Sequence, residues 1–294
     1  MKPVAKMQIS PFKKILLAVL CVALLSSCTT KVAYHFLDFG IAWYLGKYVS
    51  LDNQQKEYVK TTLDEFHQWH RQTQLPQYAN FLQAFQDSLQ HEISGDMLHA
   101  ETDKAQVLLD QSISYLFPHG VKVISTFSDE QEKEILKNFE KEREKYYKKR
   151  IDVDREEVIK ARIKELKDFI SPYIGRMSKE QKQWTEDWAQ SLVPFEELTY
   201  AQQELWAQQL QEVLDKRNDE VYLRKHMEQL FASNTDQWPQ ETQQVYSENQ
   251  RITYDFMANL INSLNPEQRQ KMNRKLSNLI QDLRELAGSK QDSN

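Results

Sequence analysis

An all-α, multi-helix bundle of about nine helices, one of them long and highly charged, is the fold class this sequence predicts. Three observations lead there. Only 6 glycines and 8 prolines interrupt 294 residues. Gln, Glu, Lys, Leu and Ala, all strong helix formers, abound, while β-branched strand-like runs are nearly absent. A single helix-start pattern also recurs: an apolar residue, a capping residue, two others, then Gln. It stands at "LDNQQ" (51–55), "FSDEQ" (127–131), "MSKEQ" (177–181), "LTYAQ" (198–202) and "LNPEQ" (264–268). The Asp, Ser, Thr or Asn at the second position can accept from an orphan N–H of the first turn. Gln three residues on can reach back to the cap's own N–H, which completes a capping box.

Taken in order, the helices fall at roughly 31–49, 52–73, 76–92, 96–116, 128–170, 178–193, 199–232, 239–263 and 265–287. Pro76, Pro239 and Pro266 read as helix starts, since a first-turn proline loses no hydrogen bond. Pro118 and Pro194 read as stops and Gly288 as a terminal cap. The stretch "FPHGVKVISTF", 117–127, is the one β-looking segment and reads as a loop or short helical turn between helices. Segment 129–168 holds 13 basic and 13 acidic residues in forty. With only a thin apolar stripe, it reads as one solvated helix held by ion pairs one turn apart. The cluster Lys145 to Arg150 lies among glutamates, so it is no phosphate or lipid site.

The N-terminus carries an address. Lys2, Lys6, Lys13 and Lys14 precede an apolar run, Ile15 to Leu25, and the ending Leu25-Ser26-Ser27-Cys28. A basic region, a short apolar region and small residues make a secretory signal, too short to span a bilayer. The small–small–Cys ending fits the bacterial lipobox, in which the cysteine is lipidated and becomes the first residue. The domains expected are therefore a lipoprotein signal peptide (1–27), a lipid-proximal aromatic segment (28–50) and a single helical domain (51–294). Thr29 follows the cysteine where an aspartate would signal inner-membrane retention, so an outer-membrane lipoprotein facing the periplasm is expected. Cys21 leaves with the signal and lipid occupies Cys28, which excludes a disulfide, thiolate catalysis and a Cys-based zinc site. Losing the four leader lysines takes the net charge from −5 to −9. That balance excludes nucleic acid as a partner, because phosphates demand a basic surface.

The chemistry-bearing stretch is "FHQWHRQTQLPQY", Phe66 to Tyr78. On a helix, Asp64, His67 and His70 sit at successive three-residue steps, but a stable zinc site needs a closed set of three or four ligands. No HExxH, phosphate loop, GxSxG elbow or calcium loop occurs, so no metal and no cofactor is expected. Trp69, His70, Arg71, Pro76 and Tyr78 are expected to form a corner between two helices. Leu75 before the proline should leave the α region, which would turn the chain there.

With "LDFGIAWYLGKYVSLDNQQ" upstream, this stretch resembles the signature of an uncharacterised family of proteobacterial lipoproteins of unknown function. The motif positions are Trp43, Tyr44, Leu45, Tyr48, Leu51, Asp52, Gln55, Trp69, His70, Arg71, Leu75, Pro76 and Tyr78, within residues 28–90. Ser50 stands where the family pattern has an aspartate. The resemblance implies a lipid anchor and no known activity. The function expected is a non-enzymatic binding or structural role in the cell envelope, with the membrane contacted through lipid and an envelope protein as partner. The rivals are a chaperone-like helical protein, from a likeness of the Leu-Thr-x-x-Gln box to small periplasmic stress chaperones, and an envelope hydrolase with His70 as base.

Overall fold

A computed structural model describes residues 31, 34, 36–231 and 238–288. The signal segment and Cys28 lie outside the described residues. Among those described there is no strand, and the chain is a multi-helix all-α bundle. The helices are α1 (Leu37–Gly46), α2 (Asn53–Trp69), a π-helical turn (His70–Gln74), α3 (Leu75–Ser88), α4 (Gly95–Ile124), α5 (Asp129–Arg150), α6 (Arg155–Ile174), α7 (Lys179–Ser191), α8 (Glu196–Asp215), α9 (Glu220–Phe231), α10 (Gln240–Asn262) and α11 (Pro266–Gly288). Their number exceeds the expected nine because two predicted segments, 128–170 and 199–232, each divide in two.

Four of the five capping boxes form as read. Asp52, Ser128, Ser178 and Asn265 each accept from the N–H of the Gln three residues on, and that Gln accepts from the cap's N–H. The boxes then pair. Gln55 and Gln131 exchange amide hydrogen bonds at 3.1 and 2.6 Å, tying the start of α2 to the start of α5. Gln181 and Gln268 do the same at 3.0 and 2.9 Å, tying α7 to α11. The remaining amide hydrogens go to the residue two before the partner's cap: Gln55 to Thr126 O, Gln131 to Ser50 O, Gln181 to Ser263 Oγ and Gln268 to Arg176 O. Gln55, Gln181 and Gln268 are buried, and each stays hydrogen-bonded because its partner is another helix start. Ser128→Ala and Ser178→Ala should each cost about 1 kcal/mol through the lost cap bond. Thermal unfolding of each variant checks this, and an unmoved midpoint in both would refute the caps' contribution.

The fifth box does not form. Helix α8 begins at Glu196, placing Thr199 inside its first turn with its hydroxyl bonded to Tyr146. Glu196 prevails as the start because it is buried in an ion pair with Arg162 and accepts from Phe195 N–H. The single helix expected over 199–232 is two, α8 and α9. Asp219 caps α9 through Tyr222 N–H, and buried Arg217 fills the corner. Its guanidinium donates to Phe127 O at 2.7 Å and Leu214 O at 3.0 Å, and pairs with Asp129 and Glu132.

The one long charged helix is also corrected: 128–170 is α5 and α6, parted at 151–154. Asp154 takes an extended backbone (φ −63°, ψ 148°) ahead of α6, a conformation that aspartate favours at helix starts. The expected ion pairs exist on both halves, as Glu142–Lys145, Glu157–Lys160 and Lys164–Asp168. Helix α6 continues past the predicted end to Ile174 and stops at Gly175, whose φ of +76° suits glycine. Pro118 does not stop its helix either. Helix α4 runs through it to Ile124, and 117–124 is helical, because Val121 is fully buried against α8 and α9.

Three apolar clusters hold the bundle. One gathers Leu89, Ile93, Ile170, Ile174, Phe256 and Leu260, joining α3, α6 and α10. A second joins Val121 of α4 to Leu210, Leu214, Leu223 and Met227. The third packs Tyr34, Leu75 and Ala79 against Leu279, Ile280, Leu283 and Leu286 of α11. Helix α11 therefore lies along α3 and reaches the π turn, which is where the site is built.

Candidate functional site

Helix α2 does not end in a corner. It passes through the π turn directly into α3, and Leu75 keeps α-helical angles (φ −58°, ψ −39°) instead of leaving that region. The widened turn is what admits Pro76. In an α-helix the proline ring would clash with the carbonyl four residues back. The extra residue of the π turn opens that spacing, and Leu75 N–H donates to His70 O, five residues back. Nearby carbonyls take side-chain donors: Thr73 Oγ1 to Trp69 O at 2.8 Å and Gln77 Nε2 to Thr73 O at 2.9 Å.

The turn points its polar side chains inward. His70, Arg71 and Gln74 are all buried. His70 Nδ1 and Tyr34 Oη are hydrogen-bonded at 3.0 Å, and the Tyr34 ring also meets His67 edge-on at 4.5 Å. Burial, and then the charge of His67, lowers the His70 pKa to about 4, so its imidazole is neutral near pH 7. Burial pushes the Tyr34 phenol above its ordinary range. Arg71 Nε donates to Leu286 O of α11 at 3.2 Å. Lys31 extends the contact by pairing with Asp282 (3.5 Å) and Glu285 of α11.

Around this polar knot lies an aromatic shell. Phe66 is buried, with its ring 5.2 Å from His70, 5.8 Å from Trp69 and 5.6 Å from Tyr115 of α4. Half-buried Trp69 stacks on Tyr115 at 4.5 Å. Tyr78 meets His70 edge-on at 5.4 Å and bonds Ser112 Oγ at 2.8 Å. Leu75 is buried below, and Pro76 half-buried beside it.

The other motif residues are elsewhere. Trp43 and Tyr44 are exposed on α1, Tyr48 bonds Tyr44 through their hydroxyls at 3.3 Å, and Gln55 belongs to the paired capping boxes. Gln55 lies in the first turn of α2, about 22 Å along that helix from His70. Sequence reasoning grouped the two sets; the fold brings together only Trp69, His70, Arg71, Leu75, Pro76 and Tyr78. It missed Tyr34, Tyr115, Ser112 and Leu286, which have no local signal linking them to His70.

A model of the DUF6279 family matches residues 47–243, about two-thirds of the chain. The chain belongs to this family of unknown function. The match extends well beyond the motif-bearing residues 28–90 on which the sequence resemblance rests, and takes in α2 through the first residues of α10. Trp43 and Tyr44 lie before it, and α11 after it. No curated protein and no solved structure matches the chain. Among the described residues, no three His, Cys, Asp or Glu side chains are grouped to hold a metal ion.

Proposed function

We propose that this DUF6279 protein is a lipid-anchored, non-enzymatic component of the bacterial cell envelope. In this reading, residues 1–27 are a lipoprotein signal, Cys28 carries the lipid, and the bundle faces the periplasm from the outer membrane. Its work is to bind or brace another envelope component with a helical surface. The observation that carries the non-enzymatic reading is the inward use of the motif's polar groups. His70 is the best base the sequence offers, yet it is buried and bonded to Tyr34. A pKa of about 4 also sits far from the operating pH at which a general base is most effective. Arg71, the nearby cation, is held on the α11 carbonyl of Leu286.

The anchor rests on the lysine-rich start, the Ile15 to Leu25 run and the Leu25-Ser26-Ser27-Cys28 ending. Cys28→Ala is expected to abolish incorporation of labelled palmitate and to move the protein from the membrane to the soluble fraction. Undiminished labelling of that variant would remove the anchor from the proposal.

A further inference from the structure

Helix α1, Leu37–Gly46, is anomalous. Its sequence, LDFGIAWYLG, is apolar on every side except for Asp38, yet none of its residues is buried. A helix apolar all round is ordinarily enclosed by protein or by lipid. Here one side rests on α2, leaving an open face. Phe36, Phe39 and Trp43 stand on it at three- and four-residue steps and are 62, 68 and 58% exposed. Gly40 lies between them with nothing within 4 Å of a would-be Cβ, so the face is open at that point. Lys47 closes the row, its Nζ 3.7 Å from the centre of the Trp43 ring. Three large aromatics in a row on an open surface, ending in a cation, make a patch of the kind that marks an interaction site.

We infer that this face seats on the lipid bilayer, with Phe36, Phe39 and Trp43 at the level of the headgroup–acyl boundary and Lys47 directed to lipid phosphate. The inference rests on the proposed anchor at Cys28, which supplies the distance argument. Phe36 is eight residue steps on from Cys28, a reach of at most about 29 Å even when fully extended. Two contacts of the intervening segment shorten that leash: Lys31 is paired with Asp282 and Glu285, and Tyr34 is buried against His67 and His70. The first helix after the lipid is thus held against the bundle and near the membrane at once. Tryptophan is favoured at bilayer interfaces because its apolar ring system carries a polar N–H. Phenylalanine on an interfacial helix adds apolar area at the acyl boundary, and a lysine stem can lie along such rings while its charge reaches the headgroups. Ten residues of helix are about 15 Å long, too short to cross the hydrocarbon. No helix among the described residues is long and apolar enough to cross a membrane. The helix would lie in the interface and fix which side of the bundle faces outward.

The test uses the full chain with one substitution, Phe39→Cys. Lipid occupies Cys28 and Cys21 leaves with the signal, so the introduced thiol is the one site open to a thiol-reactive, polarity-sensitive dye. The lipoprotein is reconstituted in vesicles of phosphatidylethanolamine and phosphatidylglycerol. The expected result is a blue-shifted emission and loss of most of the fluorescence to a nitroxide on the lipid acyl chain. The comparison is Val221→Cys on α9, where the native residue is 80% exposed; it should emit as in water and be quenched by iodide. Iodide quenching at position 39 equal to that at position 221, in protein bound to the vesicles, would overturn the membrane seat. So would a blue shift untouched by the lipid nitroxide, which would assign the face to a protein partner. Dye uptake at Cys28 in the unsubstituted chain would overturn the anchor, and with it the proximity on which the seat depends.

Discussion

Phe66→Ala is expected to destabilise the protein by about 3–5 kcal/mol, the usual cost of truncating a fully packed aromatic. Phe66 is 5% exposed, and its ring contacts Trp69, His70 and Tyr115. Its removal would open a cavity between α2 and α4 just before the π turn, where a backbone committed to the wider spacing cannot easily close it. Trp69→Ala should cost about half as much, since that ring is half-buried and its loss removes less apolar area from contact. Urea unfolding of both variants gives the comparison. A Phe66 variant within about 1 kcal/mol of wild type would be inconsistent with the core substitution costs expected here, and the aromatic shell would then have to be regarded as free to form part of a binding surface.

Where sequence and structure agree, the information is local. The boxes at Asp52, Ser128, Ser178 and Asn265 could be read because cap and glutamine are three residues apart and need only each other. What each glutamine does next could not be read: Gln55 meets Gln131 across 76 residues, and Gln181 meets Gln268 across 87. Thr199 failed for the same reason. Its spacing to Gln202 is correct, but the helix start is taken by Glu196, whose partner Arg162 is supplied by α6. The charged segment misled because pairs such as Lys164–Asp168 stabilise a helix wherever they fall and say nothing about where it breaks.

The site divides in the same way. Trp69, His70, Arg71, Leu75, Pro76 and Tyr78 are within ten residues and share one neighbourhood. Their arrangement, however, depends on a π turn, and the rule that a residue before proline leaves the α region was overridden there. Pre-proline restriction is a steric preference, and burial of Leu75 between Ala79 and α11 outweighs it. Tyr34 and Leu286, which give His70 and Arg71 their partners, lie 36 and 215 residues away from them. Nothing in a single sequence links such positions.

The buried imidazole leads to the second large effect, a dependence of stability on acid. In the folded protein His70 has a pKa of about 4, against an ordinary value of 6.5. Between those values the unfolded chain binds the proton and the folded chain does not, so stability rises with pH across this window. The contribution is fully present above about pH 6.5, falls as the pH drops, and is gone below about 4. The difference corresponds to about 3 kcal/mol at most. Carboxylates also titrate toward the lower end, so the informative quantity is the wild type minus His70→Gln. A glutamine there can still hydrogen-bond Tyr34 but takes no proton. The variant should match wild type in unfolding midpoint near pH 4 more closely than its own loss at pH 7 would suggest, because it lacks the acid-labile term. Superimposable pH profiles for the two proteins would mean that His70 is protonated as readily in the fold as in the unfolded chain. A buried, neutral structural histidine would then be untenable, and the case for an accessible base at the π turn would be restored.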